Sequence, residues 1–308
     1  MTLQQLEYVL AVDRCKHFGR AADECRVSQP TLSAMVQKLE AELGAKIFER
    51  TAHAVSTTAL GQKIVAKARE TLFAADSIRH IVAEERSDVG GTFRLGILPT
   101  IAPYLLPRFF PKLCATHPEL DLRVTELKTA QLKEALAEHK IDAAILVATG
   151  DLGGFDAETL YFEQFMAYVS RGDQLFDHSS IKTADLVDEP LWLLDEGHCF
   201  RDQLVKFCNL KSARQSKRTY TLGSIETFMR MVESGQGVTF IPELALQQLS
   251  ADQRQLVRPF AIPIPTREIL LLTAPGFVRN ALRSLLVESV RNAVPKEMLK
   301  KNNTEQRI

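Results

Sequence analysis

The 308-residue sequence contains no run approaching the ~20 apolar residues that a membrane span requires, and no basic cluster leads into an apolar stretch near its start. These absences predict a cytoplasmic chain with no membrane partner. Cysteine is scarce and odd in number, at Cys15, Cys25, Cys114, Cys199 and Cys208. That excludes the paired framework of a small secreted domain and makes free thiols the resting state. Excess charge of either sign is lacking too, since 38 Lys and Arg face 38 Asp and Glu. Any nucleic-acid contact must therefore come from where charges point, because composition supplies no basic field. His17, His53, His80 and His139 show no metal-ligand spacing with cysteine, and no Gly-rich phosphate loop or Gly-x-Ser-x-Gly elbow occurs. Neither a metal nor a cofactor is expected.

What is present is the balance of a soluble globular protein, with 45% hydrophobic and 25% charged residues over a length that favours two or three compact units. Residues 1–58 read as short helices closed by a polar, β-branched segment suited to a small hairpin. Over 59–89, Leu60, Ile64, Ala68, Leu72, Ala75, Ile78 and Val82 recur at steps of three or four. They form one apolar stripe on a long helix. A stripe of that length favours a coiled-coil-like seam with a second copy over packing inside one domain. Gly90-Gly91 marks the boundary.

From 90 to 308, strand-like and helix-like stretches alternate. Phe93–Leu98, Asp121–Leu127 and Asp142–Val147 read as parallel strands, with helices at Pro103–Thr116 and Ala130–His139. A second set places strands at Phe165–Ser170, Leu191–Leu194 and Gly237–Ile241, and helices near Cys199–Phe207 and Ile225–Ser234. The strand Glu268–Thr273 and the helix Arg279–Ala293 follow, and the tail from Lys296 reads as frayed. Two subdomains are expected, about 92–161 with 268–295, and about 162–267. Connecting strands near Thr159–Phe165 and Pro263–Leu270 would leave a cleft between them.

Within Phe18–Leu39, Ala21, Ala22, Cys25, Val27, Leu32 and Met35 are spaced to form the core between two crossing helices, with small Ala22 permitting close approach. Ser28 suits a cap and Pro30 the first turn of the second helix. Gln29, Thr31, Ser33, Ala34, Gln37 and Lys38 would then be exposed, and most are residue types that bond base edges and phosphates. The same pattern also suits a plain helical hairpin. Residues 1–60 carry seven basic side chains (Arg14, Lys16, Arg20, Arg26, Lys38, Lys46, Arg50) against seven acidic ones (Glu7, Asp13, Asp23, Glu24, Glu40, Glu42, Glu49).

Ala21-Ala22, Val27-Ser28-Gln29-Pro30-Thr31-Leu32-Ser33, Leu39-Glu40, Leu43-Gly44 and Phe48-Glu49-Arg50-Thr51 together resemble the winged helix-turn-helix of LysR-type transcriptional regulators. The likeness runs over essentially the whole chain. It implies an α+β multidomain fold: a winged helix-turn-helix over 1–58, a linker and dimerisation helix over 59–89, and a bilobed α/β regulatory domain over 90–308, like periplasmic binding proteins. It also implies double-stranded DNA as partner, self-association into dimers and a homotetramer, and RNA polymerase as a downstream contact. Arg20, Ser28, Gln29, Pro30, Thr31, Ser33, Gln37 and Lys38 are the implied DNA-contacting residues, with Arg50 and His53 near the wing.

The sharpest chemistry lies in Asp195-Glu196-Gly197-His198-Cys199-Phe200-Arg201-Asp202-Gln203, followed by Cys208. Cys199 is placed at a helix N-terminus, where backbone N–H groups and the dipole favour a thiolate, with His198 and Arg201 adding donors or charge. A thiolate attacks the O–O bond of a peroxide, giving a sulfenic acid that a second thiol traps. Cys208 is the candidate trap. Nine helical residues would part their Cα atoms by about 13.5 Å, whereas a disulfide needs roughly 7 Å or less. Bonding them would require the segment to refold. On residue types alone, two buried structural cysteines fit as well, Thr100 and Thr129 fit as helix N-caps, and Cys15, Cys25 and Cys114 fit as core.

The same segment resembles that of the OxyR group of peroxide sensors within the LysR family. The resemblance implies hydrogen peroxide as effector, Cys199 as the peroxidatic and Cys208 as the resolving cysteine, and a thiol reductant such as glutaredoxin or thioredoxin. It further implies that Thr100 and Thr129 order a peroxide or water beside the thiol, that Arg267 stabilises the thiolate, and that His198, Arg201 and Asp202 belong to its surroundings. Phe200 and the segment 209–217 depart from the group's pattern. A LysR-type regulator answering to a small organic anion in the cleft is the alternative. A thiol peroxidase would leave 1–58 unexplained, so an enzyme is not expected.

Overall fold

The computed structural model describes residues 1–308 except 51–53, 86–88, 151, 187–188, 190, 195–198, 209–223 and 236. His53, His198 and the divergent segment 209–217 therefore lie outside the described residues, as does the Arg50 side chain. The chain divides into two compact units, Met1–Ser87 and Asp88–Ile308.

In the first unit each short helix begins at a polar cap. Thr2 forms a capping box with Gln5 ahead of α1 (Leu3–Cys15). His17 accepts from the Arg20 N–H ahead of α2 (Phe18–Glu24), and Ser28 accepts from the Thr31 N–H ahead of α3 (Gln29–Leu43). Gly44, at φ 64°, ends α3 in the left-handed conformation that glycine adopts without strain. Val9, Val12, Ala21, Ala22, Leu32, Val36 and Leu39 form the core, with Cys25, Val27 and Met35 partly buried around it. The wing pairs β1 (Phe48–Arg50) antiparallel with β2 (Val55–Thr57). Buried Glu40 seats it by accepting the Ile47 and Phe48 N–H groups at 2.8 and 3.1 Å.

Helix α4 (Ala59–Glu85) packs along α1. A Cβ on Gly61 would stand 2.1 Å from the Ile47 carbonyl oxygen, so only glycine lets the helix approach the wing this closely. The apolar stripe divides along the helix. Val65 and Ala68 are buried, with Ile64 and Leu72 partly so, against this unit's own core. Leu60, Ile78, Ile81 and Val82 are exposed. The N-terminal half of the helix thus stabilises its own domain, because α1 offers an apolar face within reach.

The second unit opens with β3 (Gly91–Ile97), α5 (Ala102–Thr116), β4 (Leu120–Glu126), α6 (Thr129–Ala137) and β5 (Ala143–Val147), the parallel βαβαβ pattern the alternation predicts. It continues through β6 (Asp156–Val169), α7 (Cys199–Phe207), α8 (Ile225–Glu233), β7 (Val238–Pro242), α9 (Ala251–Arg254) and β8 (Val257–Pro259). The last elements are β9 (Ile264–Thr273), α10 (Asn280–Ala293) and β10 (Glu305–Arg307). Strand order is β4-β3-β5-β9-β6-β7, with β10 on β9 and β8 on β6. Strand β6 is continuous: Asp156–Gln164 pairs with β9, and Phe165–Val169 pairs with β7. One strand thereby ties both halves of the unit to a common frame.

Two expectations give way here. Leu191–Leu194 is not a strand; Leu191 makes a single bridge to Val238, and the Trp192 N–H donates to the Val238 carbonyl at 2.8 Å. The tail is not frayed over its length, since β10 pairs in parallel with Ile264–Thr266 and Ile308 N donates to the Thr266 carbonyl. Backbone pairing along an open strand edge orders a segment that is polar in sequence.

Candidate thiol pocket and DNA-contacting surface

Helix α7 begins at Cys199, so the Phe200 N–H faces the sulfur as an N-terminal donor and favours the thiolate. Burial opposes it and is the larger influence. The Thr129 hydroxyl and the Arg267 charge pull the thiol's pKa down and Asp202 pushes it up, but the sum leaves it above the ordinary thiol value. Of the thiolate-favouring features expected from sequence the helix start is present, His198 lies outside the described residues, and desolvation outweighs the favourable influences. Apart from the thiol, the Thr129 hydroxyl has no hydrogen-bond partner among the described residues, although it is buried. Thr129 is the first residue of α6 and not its cap, which is Lys128.

Arg267, on β9, is the cation of the pocket and is 1% exposed. Its Nε and Nη2 donate to Glu163 Oε2 at 2.8 and 2.6 Å. Nη1 and Nη2 donate to the Thr100 hydroxyl and carbonyl at 3.3 and 3.0 Å. Thr100 therefore meets Arg267 and does not cap α5, whose N-cap position is Ile101. Arg201 pairs with its neighbour Asp202 at 3.6 Å.

Sequence reasoning missed Glu163 and Phe165 as neighbours of this cation and gave Phe200 no role there. Glu163, on β6, is also 1% exposed, and its second oxygen accepts the Leu244 N–H at 3.1 Å. Its signal was an acid set between Leu160-Tyr161-Phe162 and Phe165-Met166 in a strand. Phe165 and Phe200 place their ring centres 4.7 Å apart, and the guanidinium lies 5.7 and 5.1 Å from them. The departure at Phe200 thus fills a defined place: it anchors the first turn of α7 against Arg267.

Cys208 follows directly on α7, its N–H donating to the Leu204 carbonyl at 2.9 Å. Its thiol is buried, and burial pushes its pKa up to about 12. With the segment helical, the two Cα atoms are held about 13.5 Å apart. Between them Gln203 donates to the Ile308 carbonyl at 2.5 Å, linking α7 to the residues after β10.

In the first unit, Ser28, Gln29, Pro30, Thr31, Gln37 and Lys38 are exposed along α3, and Ser33 is half-buried. The Ser28 and Thr31 hydroxyls lie 2.8 Å apart and satisfy each other. Arg20, exposed on α2, donates to the Cys15 carbonyl at 2.7 Å. No group of three or more His, Cys, Asp or Glu residues able to hold a metal occurs among the described residues.

Residues 3–62 match the bacterial regulatory helix-turn-helix protein, lysR family, and residues 86–295 match the LysR substrate binding domain. The DNA-binding transcriptional dual regulator OxyR of Escherichia coli is 33% identical over 94% of this chain and 95% of its own. A hydrogen peroxide-inducible genes activator of Haemophilus influenzae is 35% identical over 97% of each. A full-length OxyR variant from Pseudomonas aeruginosa matches in structure with a TM-score of 0.78 and 34% identity, covering 94% of this chain and 98% of that one. OxyR from Porphyromonas gingivalis gives 0.66 and 44%, over 70% and 98%. The chain belongs to the LysR family of transcriptional regulators, in its OxyR group.

Proposed function

We propose that this protein is a DNA-binding transcriptional regulator that senses hydrogen peroxide through Cys199 and Cys208. The observation that carries this reading is Cys199 at the first turn of α7, beside a buried threonine hydroxyl and a buried arginine, with a second buried thiol at the far end of the same helix. Thr129 has bonding capacity to spare for a peroxide oxygen. Arg267 supports negative charge on sulfur, and Thr100 holds Arg267.

In the reaction, the Cys199 thiolate attacks one peroxide oxygen. An S–O bond forms, the O–O bond breaks, and the leaving hydroxide takes up a proton as water. Sulfur is oxidised by two electrons to a sulfenic acid. The Cys208 sulfur then attacks Cys199, the S–S bond forms, the S–O bond breaks, and a second water leaves. A dithiol reductant such as glutaredoxin or thioredoxin returns both thiols. Because the helix keeps the thiols too far apart to bond, oxidation must unwind α7, and that converts chemistry into a change of shape.

The DNA side of the proposal rests on α3, with Gln29, Ser33, Gln37 and Lys38 directed at bases and phosphates and Arg20, Arg50 and His53 at the backbone. Exposed Ile78, Ile81 and Val82 on α4 suit contact with a second copy. We assign a homodimer pairing into a tetramer in the cytoplasm, with RNA polymerase as a downstream partner.

The test is mass spectrometry after one equivalent of peroxide, with stopped-flow measurement of its consumption. A Cys199–Cys208 bond is expected in the wild type. Cys199→Ser abolishes the fast phase, whereas Cys208→Ser keeps it and accumulates over-oxidised Cys199. Equal loss in both variants contradicts the division of roles.

A further inference from the structure

The Arg267–Glu163 contact is a cross-strand pair between β9 and β6, both residues 1% exposed, with one carboxylate oxygen engaging two guanidinium nitrogens. The other oxygen is fixed by the Leu244 N–H, so the carboxylate is held from both sides. A buried carboxylate offsets the cost of burying the guanidinium, and the same charge opposes the cation's field at the neighbouring thiol, where charges are weakly screened. Thr100 alone supplies two acceptors, and the rings of Phe165 and Phe200 supply two faces. Glu163 adds an opposing charge to a cation already positioned.

We propose that Glu163 is a positioning residue that sets the sensor's threshold: by pairing with Arg267 it cancels most of that cation's field at Cys199 and keeps the resting thiol slow to react. The inference rests on the peroxide-sensing reading. Burial is the main reason that the resting thiol lies above its ordinary pKa, and the Arg267 charge is one of the influences that lower it; Glu163 opposes that influence. Among the described residues, Glu243 after β7, Tyr161 on β6 and Tyr104 on α5 feel the charge of one or both members of the pair, and the Tyr104 hydroxyl donates to Glu226 at 2.9 Å; Asp202 on α7 acts on Cys199 and pairs with Arg201. None of these bonds both partners of the pair.

The experiment follows the pH dependence of Cys199 alkylation by iodoacetamide in the reduced full-length chain, read at that residue by mass spectrometry. Glu163→Gln keeps an acceptor for Arg267 and removes the charge. Its alkylation midpoint should fall by about one pH unit, with roughly a tenfold gain in rate at neutral pH. Glu163→Asp, which keeps the charge, should stay near the wild type. A midpoint in Glu163→Gln that is unchanged or raised overturns the proposal. Should that variant fail to fold, removing both charges with Glu163→Gln and Arg267→Met decides it. Screening predicts a midpoint within about half a unit of the wild type, whereas a rise of about one unit or more means that Arg267 acts unscreened. Alkylation needs no peroxide, so a shifted midpoint in a protein that peroxide leaves untouched would sustain the electrostatic role and sink the sensing reading.

Discussion

Helix α3 displays its chemistry and helix α7 conceals it. Both begin at a polar or reactive residue that exploits orphan N–H groups, Ser28 in one and Cys199 in the other. On α3 the polar side chains Gln29, Gln37 and Lys38 face solvent over a small apolar core, so function can change while the fold stays the same. On α7 the Cys199 thiol meets the Thr129 hydroxyl and the charge of Arg267, the ring of the next residue, Phe200, packs against that of Phe165, and the Cys208 thiol lies in the core. Recognition of DNA needs a rigid display. A redox switch needs a reactive group whose burial couples it to packing, because only then does a change at one sulfur disturb a helix.

The largest expected effect sharpens that contrast. Arg267→Ala strands the Glu163 carboxylate in the core and should destabilise the second unit by about 3–5 kcal/mol in urea unfolding. Gln29→Ala should leave stability within about 0.5 kcal/mol and instead cost about 1–3 kcal/mol in discrimination among DNA sequences. A loss below about 1 kcal/mol for Arg267→Ala, or uniform weakening on all DNA for Gln29→Ala, would break the comparison. Phe200→Leu retains an apolar side chain but loses the ring contacts to Phe165 and Arg267. It should destabilise the reduced form by about 1 kcal/mol, and the amplitude of α7 opening should rise in hydrogen exchange.

Legibility in the sequence follows the same division. The helix-turn-helix was readable because its caps, core spacing and exposed polar positions all lie within Phe18–Leu39, and the first βαβαβ set because its periodicities are local. In the pocket, Cys199 at a helix start was readable locally, whereas Thr129 and Arg267 were placed beside it only by resemblance. Glu163 and Arg267 are 104 residues apart, and no local pattern joins them. The ordering of the tail depends on the edge of β9, and the split of the α4 stripe depends on where α1 offers an apolar face. Each of these is a tertiary event written in two distant places.

The smallest expected effect concerns pH. Burial raises the Glu243 carboxyl to about 6, with Glu163, Glu305 and Glu297 adding to the rise and the Gln164 N–H opposing it. A folded pKa above the unfolded one gives stability that is complete below the unfolded value near 4.5 and lost as pH rises through about 6. The second unit should therefore unfold at slightly lower urea at pH 7 than at pH 5, relative to Glu243→Gln, which lacks this slope. An identical pH profile in the two proteins would remove Glu243 from the account.

The central claim is that oxidation acts by dismantling α7 while leaving α3 intact, and hydrogen exchange on reduced and peroxide-treated protein tests it most directly. The account predicts large loss of protection over 199–208, lesser change where Ile308 meets Gln203, and none within Phe18–Leu39. If mass spectrometry finds the Cys199–Cys208 bond and exchange over 199–208 is the same in both states, the disulfide is not the switch.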